Sequence, residues 1–599
     1  MSESAHPRSR GGEPDNRDSY AAQLEASTEL LDALPLEHLS RGLDCGALVR
    51  RLVAERAAME AAQRDGARFA PVALLIDGRC EPADLVLTLA TWELQSHPSV
   101  KACVMYAPDD CASGDTVHPP SGPASGSFAQ WLARLGQAWV VLAKGGDIPH
   151  PGLAAAIAIH ARCKPDPVAV TWNRMQYRLE DRFAKVASAL RIAGLDPIAL
   201  CSTDYIGRSI AYAADALRAA MPSGTPLDPF ESDGWRLKTA LLGSAGARWL
   251  ALPEFLASYR DPLLRPLLPA TASDRAVFET AIGTKLSPAG DGGGAMPARS
   301  ARAVSVIIPF RDHGQATLRT LQAIAAQRST AEIEVVLVDN QSRPATLRLI
   351  ESGLAGMSAR LRSRILHYPH PFNHSRQSNL GAGSARGEVL LFLNNDAELK
   401  SANALDLLAR WALVEGVATV GARTVNADGQ VVNAGIRARL RQLGLHESMV
   451  EERPHDPFSD ITRCTTGNSF ACAAVAAKTF HAVGGLDDLR FPIAYNDVDF
   501  CLRASRAGLR HVYVADAIVQ HVPGGSRSKT DEVSQVFTLR SEHAWVLGAA
   551  LHEMAEDPPG PRPITARAAL RSEGERMGRR APEDQVRSLL DRINHGKAQ

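Results

Sequence analysis

The chain has 599 residues, of which 45% are hydrophobic and 22% charged, and its 66 basic side chains balance 66 acidic ones. That length accommodates three or four domains at about 150 residues each. The composition is globular, and a zero charge balance excludes the basic surplus expected of a wholesale nucleic-acid binder. The nine cysteines (Cys45, Cys80, Cys103, Cys111, Cys163, Cys201, Cys464, Cys472 and Cys501) form no C-x-x-C pair. They are expected to be reduced core thiols of a cytoplasmic protein.

Residues 1–20 are polar and charged with no apolar h-region, which predicts a disordered start and no secretory signal. No run reaches the ~18 apolar residues of a membrane span, so any membrane contact is expected to be peripheral, at the inner face of the cell membrane, or through a partner. Residues 21–65 carry helical spacing. From Pro71, the apolar runs VALLID, VKACVMY, AWVVLA and PVAVTW alternate with helical stretches, which predicts an α/β domain over 66–270 with a mostly parallel sheet. The Gly-, Ala- and Pro-rich stretch within 271–302 reads as a linker.

A second α/β domain follows over 303–530. Its strands are expected at 304–310, 334–340, 364–369 and 388–396, with helices in GQATLRTLQAIAAQ, PATLRLIESGL and SRQSNLGAGSA. Residues 531–599 read as a helical, partly disordered tail.

Three strands of the second domain end in polar residues: Pro309-Phe310-Arg311-Asp312, Asp339-Asn340 and Asn394-Asn395-Asp396. Strands of a parallel sheet point their carboxyl ends one way, and ligands bind outside those ends. Turn chemistry alone explains any one of these endings, but explains three less well. Asp396 follows a buried strand and is the candidate ligand for a hard divalent cation. Further along, Asp497 and Asp499 open an amphipathic helix, where they also suit its dipole. Asp497 is the candidate general base, a role typically worth ~10²–10⁴-fold. His521 ends a strand-like run and opens the loop Pro523-Gly524-Gly525-Ser526.

As a set, VSVIIPFRD, VVLVDNQS, PFNHSRQSNLGA, GEVLLFLNNDAEL, TTGNSF, VGGLDD and YNDVDFCLRASRAGLRHVYVADAIVQHVPGGSRS resemble the family-two glycosyltransferases. These have the GT-A fold, a Rossmann-like nucleotide-diphospho-sugar transferase architecture. The resemblance implies an inverting enzyme that moves a sugar from a nucleotide-diphosphate sugar to a glycan or lipid-linked acceptor. It implies Pro309, Arg311, Asp339, Asn340, Asn379, Asn394 and Asn395 at the donor, Asp396 and His521 on Mn²⁺ or Mg²⁺, and Asp497 as base with Asn496 and Asp499 beside it. Asn394 stands where the family's D-x-D motif has its first acid, and Asn496 where its E-D pair has Glu. The missing charge predicts weaker metal binding. These substitutions also motivate the alternative of a catalytically inactive glycan- or nucleotide-sugar-binding scaffold.

The first α/β domain resembles the second in layout, implying two GT-A copies in tandem of the kind found in bacterial surface-polysaccharide synthesis. Aligning Ala245-Gly246 with Ala507-Gly508 puts Arg248 over Arg510, Trp235 over Asp497 and Tyr259 over His521, so the base and the metal-ligand histidine are absent from the first copy. Lys144-Gly145-Gly146-Asp147 retains one acid. A dinucleotide oxidoreductase is disfavoured because the turn after Pro309 lacks G-x-G-x-x-G. A nucleophilic hydrolase is disfavoured because no G-x-S-x-G elbow occurs. The loop 437–465 is expected to be the acceptor lid. Sugar, nucleotide, linkage and oligomeric state are not legible.

Overall fold

A computed structural model describes residues 69–521, with breaks of which 107–115, 118–125 and 437–456 are the longest, and parts of 535–543 and 588–594. The expectations for 1–20 and 21–65, most of the C-terminal tail and most of the loop 437–465 lie outside the described residues. The chain divides into two compact units. One comprises Met1–Leu195, Tyr205–Leu263 and Glu556–Gln599, the other Asp196–Asp204 and Leu264–Ala555.

The first unit holds a nine-stranded sheet. Its strands are β1 (Val72–Asp77), β2 (Val100–Met105), β3 (Thr116–Val117), β4 (Trp139–Lys144), β5 (Ile148–Pro149), β6 (Ala169–Glu180), β7 (Phe183–Leu190), β8 (Ile210–Ala213) and β9 (Trp249–Tyr259). Their order is β3-β2-β1-β4-β8-β6-β9-β5, with β7 on β6. Strand β1 is buried at every position, as a parallel strand covered on both faces should be.

The second unit holds ten strands. They are β10 (Ala303–Phe310), β11 (Glu332–Asp339), β12 (Arg362–His367), β13 (Val389–Leu393), β14 (Glu398–Leu399), β15 (Val417–Val425), β16 (Val431–Asn433), β17 (Arg463–Thr465), β18 (Cys472–Ala476) and β19 (Arg510–Gln520). Their order is β12-β11-β10-β13-β18-β15-β19-β14, with β16 on β15 and β17 on β19. The first four long strands of this unit fall where the apolar runs predict them.

Both sheets thus have one strand order reached in one chain order. The pairing senses agree as well: parallel through the first four strands, antiparallel at β4–β8 and β13–β18, and parallel again at β6–β9 and β15–β19. The registers agree at most paired positions. Val72 faces Trp139 where Val304 faces Val389. Ile148 and Pro149 face Ser258 and Ala257 where Glu398 and Leu399 face Gln520 and Val519. Strands β9 and β19 even share an irregularity, after Leu252 and after Val514. Counted along these ladders, Gly146 stands at the position of Asp396, and Tyr259 at that of His521.

Two segments differ from their sequence reading. The stretch read as a linker contains helix α1 (Ala272–Ile282) and a hairpin between Leu286–Pro288 and Ala295–Pro297. Phe278 and Ile282 of α1 are buried, and their i,i+4 spacing was the helical signal that the neighbouring glycines obscured. Near the C-terminus, Leu589, Leu590 and Ile593 enter the first unit's core. Asn594 accepts from Ala102 N and donates to Ala102 O on β2, so this stretch packs on the sheet instead of forming a loose tail.

The helix α2 (Asn496–Arg506) covers a buried polar group on β19. His511 Nε2 lies 3.0 Å from Cys501 O, and its Nδ1 lies 2.8 Å from the Thr419 hydroxyl. A neutral imidazole, donating at Nε2 and accepting at Nδ1, satisfies both contacts, and burial holds its pKa down at about 4 against an ordinary 6.5. Below pH 6.5 the unfolded chain binds a proton that the folded one refuses until pH 4. Stability is therefore complete above pH 6.5 and falls on acidification by on the order of 3 kcal/mol. Denaturant unfolding followed at pH 7 and pH 4.5 should show this loss, and His511→Gln should flatten the slope. In the first unit, Arg208 makes two bonds of 2.8 and 2.7 Å to Asp147 and one of 2.7 Å to Asp233, all nearly inaccessible to water. Arg208→Met removes the buried cation these two carboxylates share, leaving Asp147 with Lys144 N and Asp233 with Lys144 Nζ, and should cost roughly 3–5 kcal/mol in the same measurement.

Candidate active site

Strands β10, β11 and β13 are parallel neighbours, so the residues beyond their carboxyl ends share one rim. Asp339 closes β11. It is buried, accepts from Ser342 N at 2.9 Å, and lies 3.3 Å from His367 Nδ1. The next residue, Asn340, donates from Nδ2 to Tyr368 O and His370 O, while its buried Oδ1 has no protein partner. Pro309 is half-buried near the end of β10 and Arg311 is exposed just past it.

The turn after β13 closes through Ala397 N donating to Asn394 O at 3.1 Å. Its three polar residues face different ways. The Asn395 amide donates to Thr317 Oγ1, and its carbonyl accepts from Thr320 Oγ1. Both partners lie on helix α3 (Gly314–Ala325), so Asn395 secures the turn. Asp396 Oδ1 lies 3.3 Å from His521 Nε2, and Asn394 Nδ2 lies 3.2 Å from the same nitrogen. Residues 125 or more positions apart in sequence thus converge on one imidazole nitrogen. Burial raises the Asp396 carboxyl, but the hydrogen bond and charge of His521 outweigh it, and the pKa ends below the ordinary carboxylate value. His313 contributes to this lowering. Its left-handed backbone (φ 51°) sits just before α3. Sequence reading passed over His313, and its position three residues past β10 was the available signal.

Asp497 occupies the first turn of α2. Its Oδ2 accepts from Phe470 N at 3.1 Å, and its Oδ1 accepts from Val498 N at 2.9 Å. The neighbouring residue Ala471 accepts from Asn394 N at 3.0 Å. The peptide Phe470-Ala471 therefore ties the turn bearing Asp396 to the helix bearing Asp497. Asp396 thus lies against His521, and Asp497 is linked to the turn bearing Asp396 through Phe470-Ala471.

Other predicted site residues have structural partners. Asn379 Nδ2 donates to Leu486 O, and its Oδ1 accepts from Leu486 N, so both amide atoms are engaged in docking the Gly484-Gly485 turn. Asn496 is buried, donating to Ser375 Oγ and accepting from Asp497 N. Asp499 is buried between Arg503 and His543. Asn496 and Asp499 orient the helix, and Asn395 and Asn379 orient the turns around it.

Asp396 and His521 offer one carboxylate and one imidazole. Among the described residues no group of three or more His, Cys, Asp and Glu side chains is placed to hold a metal by itself. This donor set fits a hard divalent cation that takes its remaining ligands from phosphate and water. It does not fit a closed structural metal site.

The corresponding rim of the first unit is built differently. A small cavity of about 90 Å³ is lined by Asp77, Arg79, Cys80, Lys144, Gly145, Asp147, Arg208 and Arg260. Arg260 lies against Gly146 and pairs with Asp84 at 2.6 Å. Tyr259, at the His521 position, is buried with its hydroxyl bonded to Trp172 and Ser209. Ion pairs occupy the place that the carboxylate and imidazole hold in the second unit.

The chain is similar over 242 residues, at 28% identity, to the uncharacterised protein y4gI of Sinorhizobium fredii, covering 40% of this chain and 26% of that one. It is 32% identical over 236 residues to the O-antigen biosynthesis protein RfbC of Myxococcus xanthus, covering 39% and 18%. The match therefore spans about a quarter or less of the length of these curated relatives. Among solved structures, a mannosyltransferase from Pyrobaculum calidifontis in complex with GDP-Man and Mn²⁺ aligns at 15% identity and TM-score 0.32, covering 49% of this chain and 75% of that one. GalNAc-T7 with UDP, GalNAc and Mn²⁺ aligns at 16% identity and TM-score 0.34, covering 50% and 56%. Residues 305–475 match the sequence profile of Glycosyl transferase family 2, which spans β10 to the end of β18 and includes Asp396. Among the described residues no helix is long and apolar enough to cross a membrane, and the six described cysteines form no disulfide. The second unit thus contains a segment, residues 305–475, that matches Glycosyl transferase family 2, and it follows a first unit of the same strand order.

Proposed function

We propose that the second unit transfers a sugar, with inversion, from a nucleotide-diphosphate sugar to a glycan or lipid-linked acceptor in surface-polysaccharide synthesis. The observation that supports this reading is the junction at Phe470-Ala471, which ties the helix bearing the candidate base to the turn bearing the candidate metal ligand Asp396. The relative named for O-antigen biosynthesis supports the polysaccharide assignment.

In this reading the nucleotide lies over Pro309, Asp339 and Asn340, where the unpartnered Asn340 Oδ1 offers an acceptor to a base or ribose donor. Arg311 is exposed and available to phosphate. Asp396 and His521 would hold a divalent cation, with Asn394 beside them, and such a cation would supply charge neutralisation at the diphosphate. Asp497 removes the proton of the acceptor hydroxyl as its oxygen attacks the anomeric carbon. The backbone N–H groups of Phe470 and Val498 fix the Asp497 carboxylate, so little reorganisation is needed at the moment of transfer. No covalent enzyme nucleophile takes part.

Release of nucleoside diphosphate from a panel of UDP-, GDP- and dTDP-sugars, with Mn²⁺ or Mg²⁺ and a polysaccharide acceptor extract, tests the proposal. Asp497→Asn should lower kcat by about 10²–10⁴-fold while leaving ligand-induced thermal stabilisation intact. Retained turnover in this variant removes Asp497 from its role, and a panel silent for the unaltered protein favours the binding-scaffold alternative. Asp396→Ala and His521→Ala should each shift the metal concentration needed for half-maximal donor binding upward by about tenfold or more. An unchanged metal dependence in both would move the cation elsewhere.

A further inference from the structure

The described residues between 535 and 543 lie against the helix that carries Asp497. Gln535, Leu539, Glu542 and His543 are spaced i, i+4, i+7 and i+8, one face of a helix, and His543 N donates to Leu539 O at 3.0 Å. Each of the four has a partner on or beside α2. Gln535 Oε1 accepts from Ile493 N and Ala494 N, in the segment leading into the helix. Leu539 packs with Phe491, Val498 and Leu502. Glu542 pairs with Arg490 at 2.8 Å. His543 Nε2 lies 2.9 Å from Asp499 Oδ1, with both side chains buried.

Asp499 is the centre of this arrangement. Its second oxygen accepts from Arg503 Nε at 2.9 Å, and Arg503 in turn donates to Val483 O and Gly485 O, each at 2.7 Å. That turn is the one Asn379 docks through Leu486. A carboxylate with 1% exposure requires partners on both oxygens, because an unpaired buried charge is strongly unfavourable. His543 supplies the second partner from 44 positions further along the chain. Without it, the first turn of α2 must rotate or admit water to satisfy Asp499, and Asp497 sits two residues away on that same turn.

We infer that His543 is a positioning residue for catalysis: through its bond to Asp499 it fixes the first turn of α2, and with it the carboxylate of Asp497. This rests on the reading of Asp497 as base. His543 itself touches no substrate. Its role is geometric, and displacement of a base by about 1 Å is enough to cost up to about 10²-fold in rate.

The test compares His543→Ala, His543→Gln and Asp497→Asn in the full-length chain. Two readouts are used: nucleoside-diphosphate release from the UDP-, GDP- and dTDP-sugar panel, and hydrogen exchange of the amides from Asp497 to Arg503. His543→Ala should lower kcat between about tenfold and a hundredfold with the donor KM unchanged, and should speed exchange in that segment. His543→Gln, which keeps a donor, should restore both. Normal kcat and unchanged exchange in His543→Ala, beside an inactive Asp497→Asn, would overturn the positioning role and leave the base intact. Full activity of Asp497→Asn overturns the base reading, and the exchange data then still report whether His543 orders the helix. If His543→Ala does not fold, an active and a dead His543→Gln respectively uphold and sink the inference.

Discussion

The site depends on one short junction in the chain. At Phe470-Ala471 the polypeptide turns from a loop into the antiparallel strand β18, whose residues Cys472–Ala476 zip along β13 from Leu393 to Val389. That ladder forces Ala471 beside Asn394, and the preceding N–H, having no strand partner, is satisfied by Asp497. A buried donor needs an acceptor, so the requirement that completes the sheet edge also recruits the candidate base. The energies involved are unequal. Each fully buried Val, Leu, Ile or Phe contributes roughly 1.5–3 kcal/mol, and β10, β11, β13 and β18 carry many of them, whereas a single polar contact at the rim contributes about 1 kcal/mol. The apolar ladders therefore decide where the rim residues stand, and those residues are left available for chemistry.

Much of this was legible in the sequence because parallel strands covered on both faces read as unbroken apolar runs. VSVIIPF, EVVLVDN and EVLLFLNND announce both the strand and the point where it stops, and their polar endings mark the rim before any coordinate is known. Asp396, Asp497 and His521 stand out as candidates because each follows such a run or opens a helix. The duplicated topology was legible for the same reason. Aligning Tyr259 with His521 from sequence agrees with the β5–β9 and β14–β19 registers.

What was not legible is the partner of each amide. Asn379 and Asn395 look like donor contacts in the sequence because they neighbour motif residues. The structure commits Asn379 to Leu486, 107 positions on, and Asn395 to Thr317, 78 positions back. No local pattern encodes such pairings, since an asparagine donates and accepts equally well toward a ligand or a peptide. The helix at Ala272–Ile282 was hidden differently, by a run of glycines just after it that dominated the composition of the window. Gly381 shows the converse. A Cβ there would lie 2.5 Å from Ile307 Cγ2, so this glycine lets the helix His374–Ser384 approach the sheet closely. The sequence shows that a glycine is present, and only the packing shows why.

The two units together separate what the fold needs from what the chemistry needs. Both have the same strand order, the same pairing senses and the same break in the last long strand, so none of these depends on a carboxylate at the Asp396 position or an imidazole at the His521 position. With Gly146 and Tyr259 there instead, the first unit still closes its sheet, and Arg208 and Arg260 neutralise the acids that remain around the rim. An open rim with an Asp–His pair is thus not a by-product of this topology. In the second unit the exposed Asp396 carboxylate lies beside His521, which holds its pKa below the ordinary value. The first rim ties its acids into ion pairs with Arg208 and Arg260, whereas the second leaves Asp396 exposed beside His521, and this difference in residues favours the second unit for the proposed transfer.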